Sequence, residues 1–319
     1  MKFLLCVFAF LCAYVLSEPR IVKPGSIWRD SSGRIIQSHG GGFIQVGKEW
    51  FWFGEDKTKG SLFQNISCYS STDLVNWKFR SNAVTLQESG DLGPSRIVER
   101  PKVLYNEHTK QYVMYMHIDS TNYAEAKVGV SISKTVVGPY SYLGSFRPLN
   151  HQSRDMTIFK DDDGVGYLLF EDRERGISIA KLTSDYLKVE SELHLIQEHY
   201  ECPTIVKVDG LYYLLGSKLT GWSTNDNVYS TSRSLSGPWS PFTNVAPIGT
   251  KTFDSQSTFI VTLHGSEVTS YIYIGDRWNP DNLSDSRYMW MPLYVSNGTM
   301  KINSDKQWKV DAVTGSIQQ

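Results

Sequence analysis

Five polar residues open five similar stretches of the chain. His39, Glu99, Asp155, Glu201 and Gln256 each stand four residues before the apolar centre of a short run, at Phe43, Val103, Phe159, Ile205 and Ile260, and follow one another at intervals of 60, 56, 46 and 55 residues. Three carboxylates, an amide and an imidazole in one register form a hydrogen-bonding set, whereas strand ends that merely face solvent would vary in type and register. If the stretches repeat around an axis, these residues converge on one pocket. With 32 Lys+Arg against 33 Asp+Glu and a net charge of -1, the chain has no basic field for nucleic acid or anionic membrane, so the pocket is expected to take a neutral ligand.

The elements that must position these residues are strands. Five aromatic and aliphatic runs, WFWFG (50–54), YVMYMH (112–117), YLLFE (167–171), YYLLG (212–216) and YIYIG (271–275), each follow a partner run, GGFIQVG, PKVLYNEH, MTIFKDDDG, PTIVKVDG and STFIVTLHG, which ends in a turn rich in Gly, Asp or Asn. Each pair predicts a hairpin. Further strand and turn pieces follow, broken by Gly-Pro, Asp-Leu or Asn-Gly, and no stretch keeps a 3.6-residue apolar period over 12 residues or more. An aromatic content of 13% suits sheets and supplies flat faces for stacking. The expected fold is all-β: a five-bladed β-propeller with four-stranded antiparallel blades, favoured over a sandwich because a sandwich demands no recurring unit of this length.

The stretch MKFLLCVFAFLCAYVLS, with Lys2 before an apolar run and small Ser17 at its end, reads as a secretory signal peptide over 1–17, leaving one propeller over 18–319 in a secreted, extracellular monomer. The apolar run is shorter than the ~20 residues that a membrane span needs. Asn65, Asn282 and Asn297 each begin an Asn-X-Ser/Thr sequon and are candidate glycosylation sites. Once Cys6 and Cys12 leave with the leader, Cys68 and Cys202 remain and are expected as buried free thiols. Asp161, Asp162 and Asp163 lack the alternation of a calcium loop and are expected in a hairpin turn. No phosphate-cradling loop, His/Cys metal spacing or Ser-His-Asp set is present, so neither metal nor cofactor is expected.

The segments IQSHGGGFIQVG, WFGEDK, SCYSSTDLVNW, VERPK, SRDMTIF, ECPTIVK and GDRW together resemble glycoside hydrolase family 43, in its exo-acting galactan β-1,3-galactosidase branch, over nearly all of the chain after the leader. The resemblance implies catalytic roles for Glu201, Gln256 and Asp155: Glu201 as general acid, Asp155 tuning and orienting it, and Gln256 holding the nucleophilic water. Glycoside hydrolysis needs a protonated carboxyl at the leaving oxygen, and neighbouring carboxylates keep a proton on such a group near neutral pH. Most of the family carries an Asp base in the first unit, where this chain has His39 followed by Gly40, Gly41 and Gly42. Whether Gln256 would serve through an unusual tautomer or by positioning alone stays open at the level of sequence.

The resemblance also implies that Glu99 binds substrate and is the alternative base, with Glu55, Tyr123, Thr220 and Trp222 around the sugar, the two aromatics stacking on it. His39 is expected as a satisfied histidine and Trp278 as packing. The implied reaction is exo-acting, inverting release of galactose from β-1,3-galactan. The alternatives are a propeller that binds the glycan without turnover, and a family 43 arabinosidase or xylosidase, against which the missing Asp base argues. The chain ends soon after the fifth unit, so attachment to polymer is expected of the propeller itself.

Overall fold

The computed structural model describes residues 18–319; the signal peptide read over 1–17, with Cys6 and Cys12, lies outside the described residues. Five four-stranded sheets follow one another along the chain, all antiparallel and each paired in sequence order. The first blade is His39–Val46, Glu49–Glu55, Asn65–Ser71 and Lys78–Thr85, and the second is Arg96–Asn106, Gln111–Ser120, Lys127–Ser133 and Ser141–Phe146. The third is Met156–Lys160, Gly166–Asp172, Gly176–Leu182 and Val189–Ile196. Tyr200–Val208, Leu211–Lys218, Val228–Ser232 and Thr243–Asn244 make the fourth; Gln256–His264, Thr269–Arg277, Arg287–Ser296 and Thr299–Lys301 make the fifth. All five sequence-read hairpins are present, with Phe43 opposite Trp52, Val103 opposite Met114, Phe159 opposite Tyr167, Ile205 opposite Leu214 and Ile260 opposite Tyr273.

The blade count differs from the sequence expectation of five. A sixth sheet pairs Arg20–Val22 with Trp308–Val310 and the latter with Ile317–Gln318, so the propeller has six blades, five of four strands and one of three. Its strands are only 3, 3 and 2 residues long and come from opposite ends of the chain, so they form no repeating pair that a search for self-similarity could find.

The core is divided among the seams between blades. Separate buried clusters lie between the first and second, second and third, third and fourth, and fourth and fifth blades. A fifth cluster joins the fifth blade to the first through Val261, Ile274, Trp290, Phe43 and Trp52, and the sixth sheet adds Val22, Trp308 and Val310 to it. The first strand of each four-stranded blade meets those of its neighbours in a closed ring, which brings the five polar residues near their starts to one end of the channel. No helix among the described residues is long and apolar enough to cross a membrane.

Cys68 and Cys202 are buried free thiols. Asp161, Asp162 and Asp163 form the expected turn, in which Asp161 and Asp162 each take the Lys207 ammonium at 2.8 Å.

Trp308 is 2% exposed and donates its indole N–H to the Trp290 carbonyl at 2.9 Å. Trp308→Ala should therefore cost about 3–5 kcal/mol in denaturant unfolding of the purified protein. A cost near zero would show that the sixth sheet does not secure the seam.

Candidate active site

A local irregularity in the strands builds the site. Just after the polar residue, the register of the innermost strand slips in four blades: between His39 and Gly42, Glu99 and Lys102, Glu201 and Thr204, and Ser257 and Phe259. The residue that follows the polar one is left-handed at Gly40 (φ 58), Arg100 (φ 56) and Cys202 (φ 56). For a residue with a side chain this costs roughly 1–2 kcal/mol, and the bulge re-aims consecutive side chains. Glycine is required at the first of these positions, because a Cβ at Gly40 would lie 2.0 Å from Glu55 Oε1.

Arg100 exploits this geometry. Buried at 5% exposure, its guanidinium reaches Gln256 Oε1 at 2.7 Å, Cys202 Sγ at 2.8 Å, Asp155 Oδ2 at 3.1 Å and the Ser257 carbonyl at 3.1 Å. The Cys202 thiol donates to Asp155 Oδ2 at 2.7 Å. The guanidinium thus stands among residues from the second, third, fourth and fifth blades.

Above it lies a cavity of about 230 Å³ lined by Glu99, Tyr123, Asp155, Glu201, Trp222 and Gln256 among others. Of the sequence-read residues these six are brought together. Glu55 and Thr220 do not line it: Glu55 is 3% exposed behind the wall, accepting the Arg100 backbone N–H at 2.8 Å and pairing with Lys57 at 2.6 Å, and Thr220 turns its backbone N–H toward Glu201 Oε1 at 3.4 Å. His39 is satisfied by Asp276 at 2.8 Å and stacks on Tyr288. Asn282 and Asn297 are exposed, while the half-buried Asn65 side chain is engaged by Asp56 and Ser67.

The cavity also holds His117, Glu171, Arg154 and Arg173, which sequence reasoning missed. A signal for some of them was present. At the end of each aromatic run a polar residue lies across from a residue of the first set: Glu55 opposite His39, His117 opposite Glu99, Ser217 opposite Glu201 and Asp276 opposite Gln256, while the Glu171 N–H bonds the Asp155 carbonyl at 2.9 Å. A second polar ring therefore backs the first.

The carboxylates are in unequal states. Burial, reinforced by the charges of Asp155 and Glu171, pushes the Glu201 carboxyl up to about 8, and burial beside Asp155 pushes Glu171 up to about 7. Glu99 goes the other way. Burial alone would raise it, but the Lys57 ammonium at 2.9 Å and the His117 imidazole at 3.6 Å hold it well below the usual range. His117 is itself pushed up to about 9, the pull of Asp119 and Glu99 outweighing burial. Single ligand atoms of Glu99, His117 and Asp155, and of Asp155, Glu171 and Glu201, come within 4.8 Å of one another. Within these groups Glu99 Oε1 carries Lys57, and Asp155 Oδ2 carries Arg100 and the Cys202 thiol.

A buried acid that keeps its proton, beside a carboxylate that cannot, is the equipment of glycoside hydrolysis. The sequence pattern described as Glycosyl hydrolases family 43 matches residues 43–273. The chain belongs to glycosyl hydrolase family 43. It is a glycosidase. The structure is similar to an exo-β-1,3-galactanase of Phanerochaete chrysosporium, solved as a Glu-to-Gln variant with β-1,3-galactotriose, at 41% identity and a TM-score of 0.90 over 93% of this chain and 70% of that one. It is also similar to an exo-β-1,3-galactanase of Clostridium thermocellum, at 35% identity and a TM-score of 0.89 over 94% and 68%. A family 43 β-1,3-galactosidase solved with galactodeoxynojirimycin is 32% identical, with a TM-score of 0.83 over 89% and 98%. No curated protein sequence matches the chain.

In this family 43 site the proton on Glu201 depends on its neighbours. Wild-type kcat/KM should fall on the alkaline side with a midpoint near 8, where Glu201 ionises. Asp155→Asn removes a like charge and releases Arg100, and both changes favour ionised Glu201, so the alkaline limb should move to lower pH. A pH–rate profile checks this, and an unmoved limb would count against Asp155 as the tuning group.

Proposed function

We propose that this glycosidase acts on β-1,3-galactan, releasing galactose from chain ends by a single inverting displacement. The observation that carries the reading is Glu201, a buried carboxyl raised to about 8 on the wall of a cavity of about 230 Å³. That volume is below the ~300–1,000 Å³ of sites for drug-sized ligands, which suits one sugar ring at a chain end. The neighbours at 41% and 35% identity are exo-β-1,3-galactanases, and one of them binds β-1,3-galactotriose.

The roles divide by environment. Glu201 gives its proton to the glycosidic oxygen as the bond from that oxygen to the anomeric carbon breaks. Water forms the new bond to that carbon and gives up a proton. Of the cavity carboxylates, Glu201 holds its proton near neutral pH, Glu171 is paired with Arg173 and Asp155 is bound by Arg100 and Cys202, which leaves ionised Glu99 as the carboxylate that takes the proton from water. Held so far below neutral, Glu99 is a weak base, and the acid side supplies more of the rate. With Glu99 acting on water rather than on the sugar, the displacement is single and no glycosyl-enzyme intermediate forms. Tyr123, whose hydroxyl donates to Glu99 Oε1 at 3.2 Å, and Trp222 offer aromatic faces to the ring. The apolar stretch read as a leader over 1–17 and the exposed sequons at Asn282 and Asn297 support secretion and glycosylation.

Following the anomeric proton by NMR in the first minutes of digestion of β-1,3-galactan should show α-galactose first. β-Galactose first would mean retention and overturn the mechanism. Glu201→Gln should keep galactose binding and lose at least ~10²-fold in rate.

A further inference from the structure

Between the fourth and fifth blades the chain makes one turn of the opposite hand. Lys251, Thr252, Phe253 and Asp254 all have positive φ, at 52°, 53°, 56° and 54°. The Asp254 N–H bonds the Thr250 carbonyl and the Ser255 N–H that of Lys251, both at 3.2 Å. This is a turn of left-handed helix built without glycine. Left-handed backbone is costly for any residue with a Cβ, most of all for β-branched Thr252, and is ordinarily visited by single residues. Such strain persists only where the surroundings over-determine it, and it gathers at functional sites. Here each strained carbonyl has a donor: Ser255 Oγ on that of Thr252 at 2.6 Å, Arg277 Nη2 on that of Phe253 at 2.8 Å and Arg277 Nε on that of Asp254 at 3.2 Å.

The hand of the turn decides where Thr252 points. Its buried hydroxyl lies between two backbone groups of a neighbouring loop, accepting the Asn227 N–H at 2.7 Å and donating to the Asn225 carbonyl at 3.2 Å. Beside it, the Asp226 carboxylate accepts the N–H groups of Gly249 and Lys251, both at 2.8 Å, and Thr224 Oγ1 donates to Asp254 Oδ1 at 3.4 Å. Asn225 passes the constraint on. Its side-chain amide donates to Ser217 Oγ at 3.0 Å, to the Lys218 carbonyl at 2.9 Å and to Thr220 Oγ1 at 2.7 Å. These bonds close the base of the loop over 219–227, whose Gly221 and Trp222 line the active-site cavity. The Trp222 ring meets Lys57 Nζ at 5.1 Å, while the backbone that carries it is fixed from the strained turn.

We infer that the left-handed turn braces the Trp222 loop and that Thr252 is a positioning residue for substrate, holding the aromatic wall of the cavity in place before a sugar arrives. The inference rests on the hydrolase reading above, in which Trp222 faces the ring. A right-handed turn of the same residues would swing the Thr252 hydroxyl away from the loop and leave the buried Asn227 N–H without its acceptor. A loop ordered in advance loses little conformational entropy when ligand binds, so the brace acts on affinity rather than on proton transfer.

Thr252→Val keeps the shape and the β-branch and removes the hydroxyl, whereas Thr252→Ser keeps the hydroxyl. In Thr252→Val, KM for β-1,3-galactan should rise about tenfold with kcat changed by less than about twofold, and Thr252→Ser should restore both to within about twofold of wild type. Asp226→Ala, which removes the acceptor of the Gly249 and Lys251 N–H groups, should raise KM in the same direction. Two readouts need no turnover. Calorimetric titration with galactose should show affinity weakened about tenfold in Thr252→Val, and hydrogen exchange should quicken by about tenfold at the amides of 219–227 while the inner strands keep their protection. Wild-type KM and galactose affinity in both Thr252→Val and Asp226→Ala, or a fall in kcat at constant KM, would overturn the inference. If Thr252→Val does not fold, Asp226→Ala decides it. If the wild type leaves galactan intact, the hydrolase reading fails while galactose affinity and loop exchange still test the brace.

Discussion

One buried guanidinium allows the rest of the site to exist. Carboxylates gathered at a channel end repel one another and are costly to bury. Arg100 offsets that cost from the centre, paired with Asp155 at 3.1 Å and bonded to Gln256 and Cys202. It reaches them because the second blade bulges after Glu99 and holds Arg100 in a left-handed conformation, aiming two consecutive residues at the site. Its own backbone N–H is taken by Glu55, whose space exists only because residue 40 is glycine. The strained turn, the glycine and the second-strand carboxylate are parts of one arrangement.

That arrangement requires a rigid frame, and the seams supply it. Each polar residue sits near the start of an inner strand whose blade is fixed on both sides by a buried apolar cluster. A rotation of one blade would carry a hydrogen-bonding group away from Arg100. The sixth sheet lines none of the cavity; it acts at the seam between the fifth and first blades, joining the two ends of the chain over that cluster.

Within the frame, chemically similar groups acquire different roles from their surroundings. Glu99 and Glu201 both stand near the starts of inner strands, but Glu99 faces Lys57 and His117 while Glu201 faces Asp155 and Glu171. The first is held as an anion and the second as an acid. The cations that make this difference stand on second strands or in the loops after them, which is why residue type at the repeating position could not reveal it.

The sequence by itself determined the all-β propeller, the five hairpins and the convergence of Glu99, Asp155, Glu201 and Gln256, because alternating apolar runs with turn residues are local signals and a repeated register carries over into space. The resemblance carried by its motifs reached the family. Three things were decided only by the tertiary structure. The sixth sheet joins Arg20–Val22 to Trp308–Val310, a pairing between chain ends that leaves no local pattern. Arg100 and Trp278 meet on one amide oxygen although 178 positions separate them in the chain, and that meeting settles the orientation of Gln256, which its residue type leaves free. The proton on Glu201 follows from burial and from the charges around it, and these are properties of the assembled ring of blades rather than of any one strand.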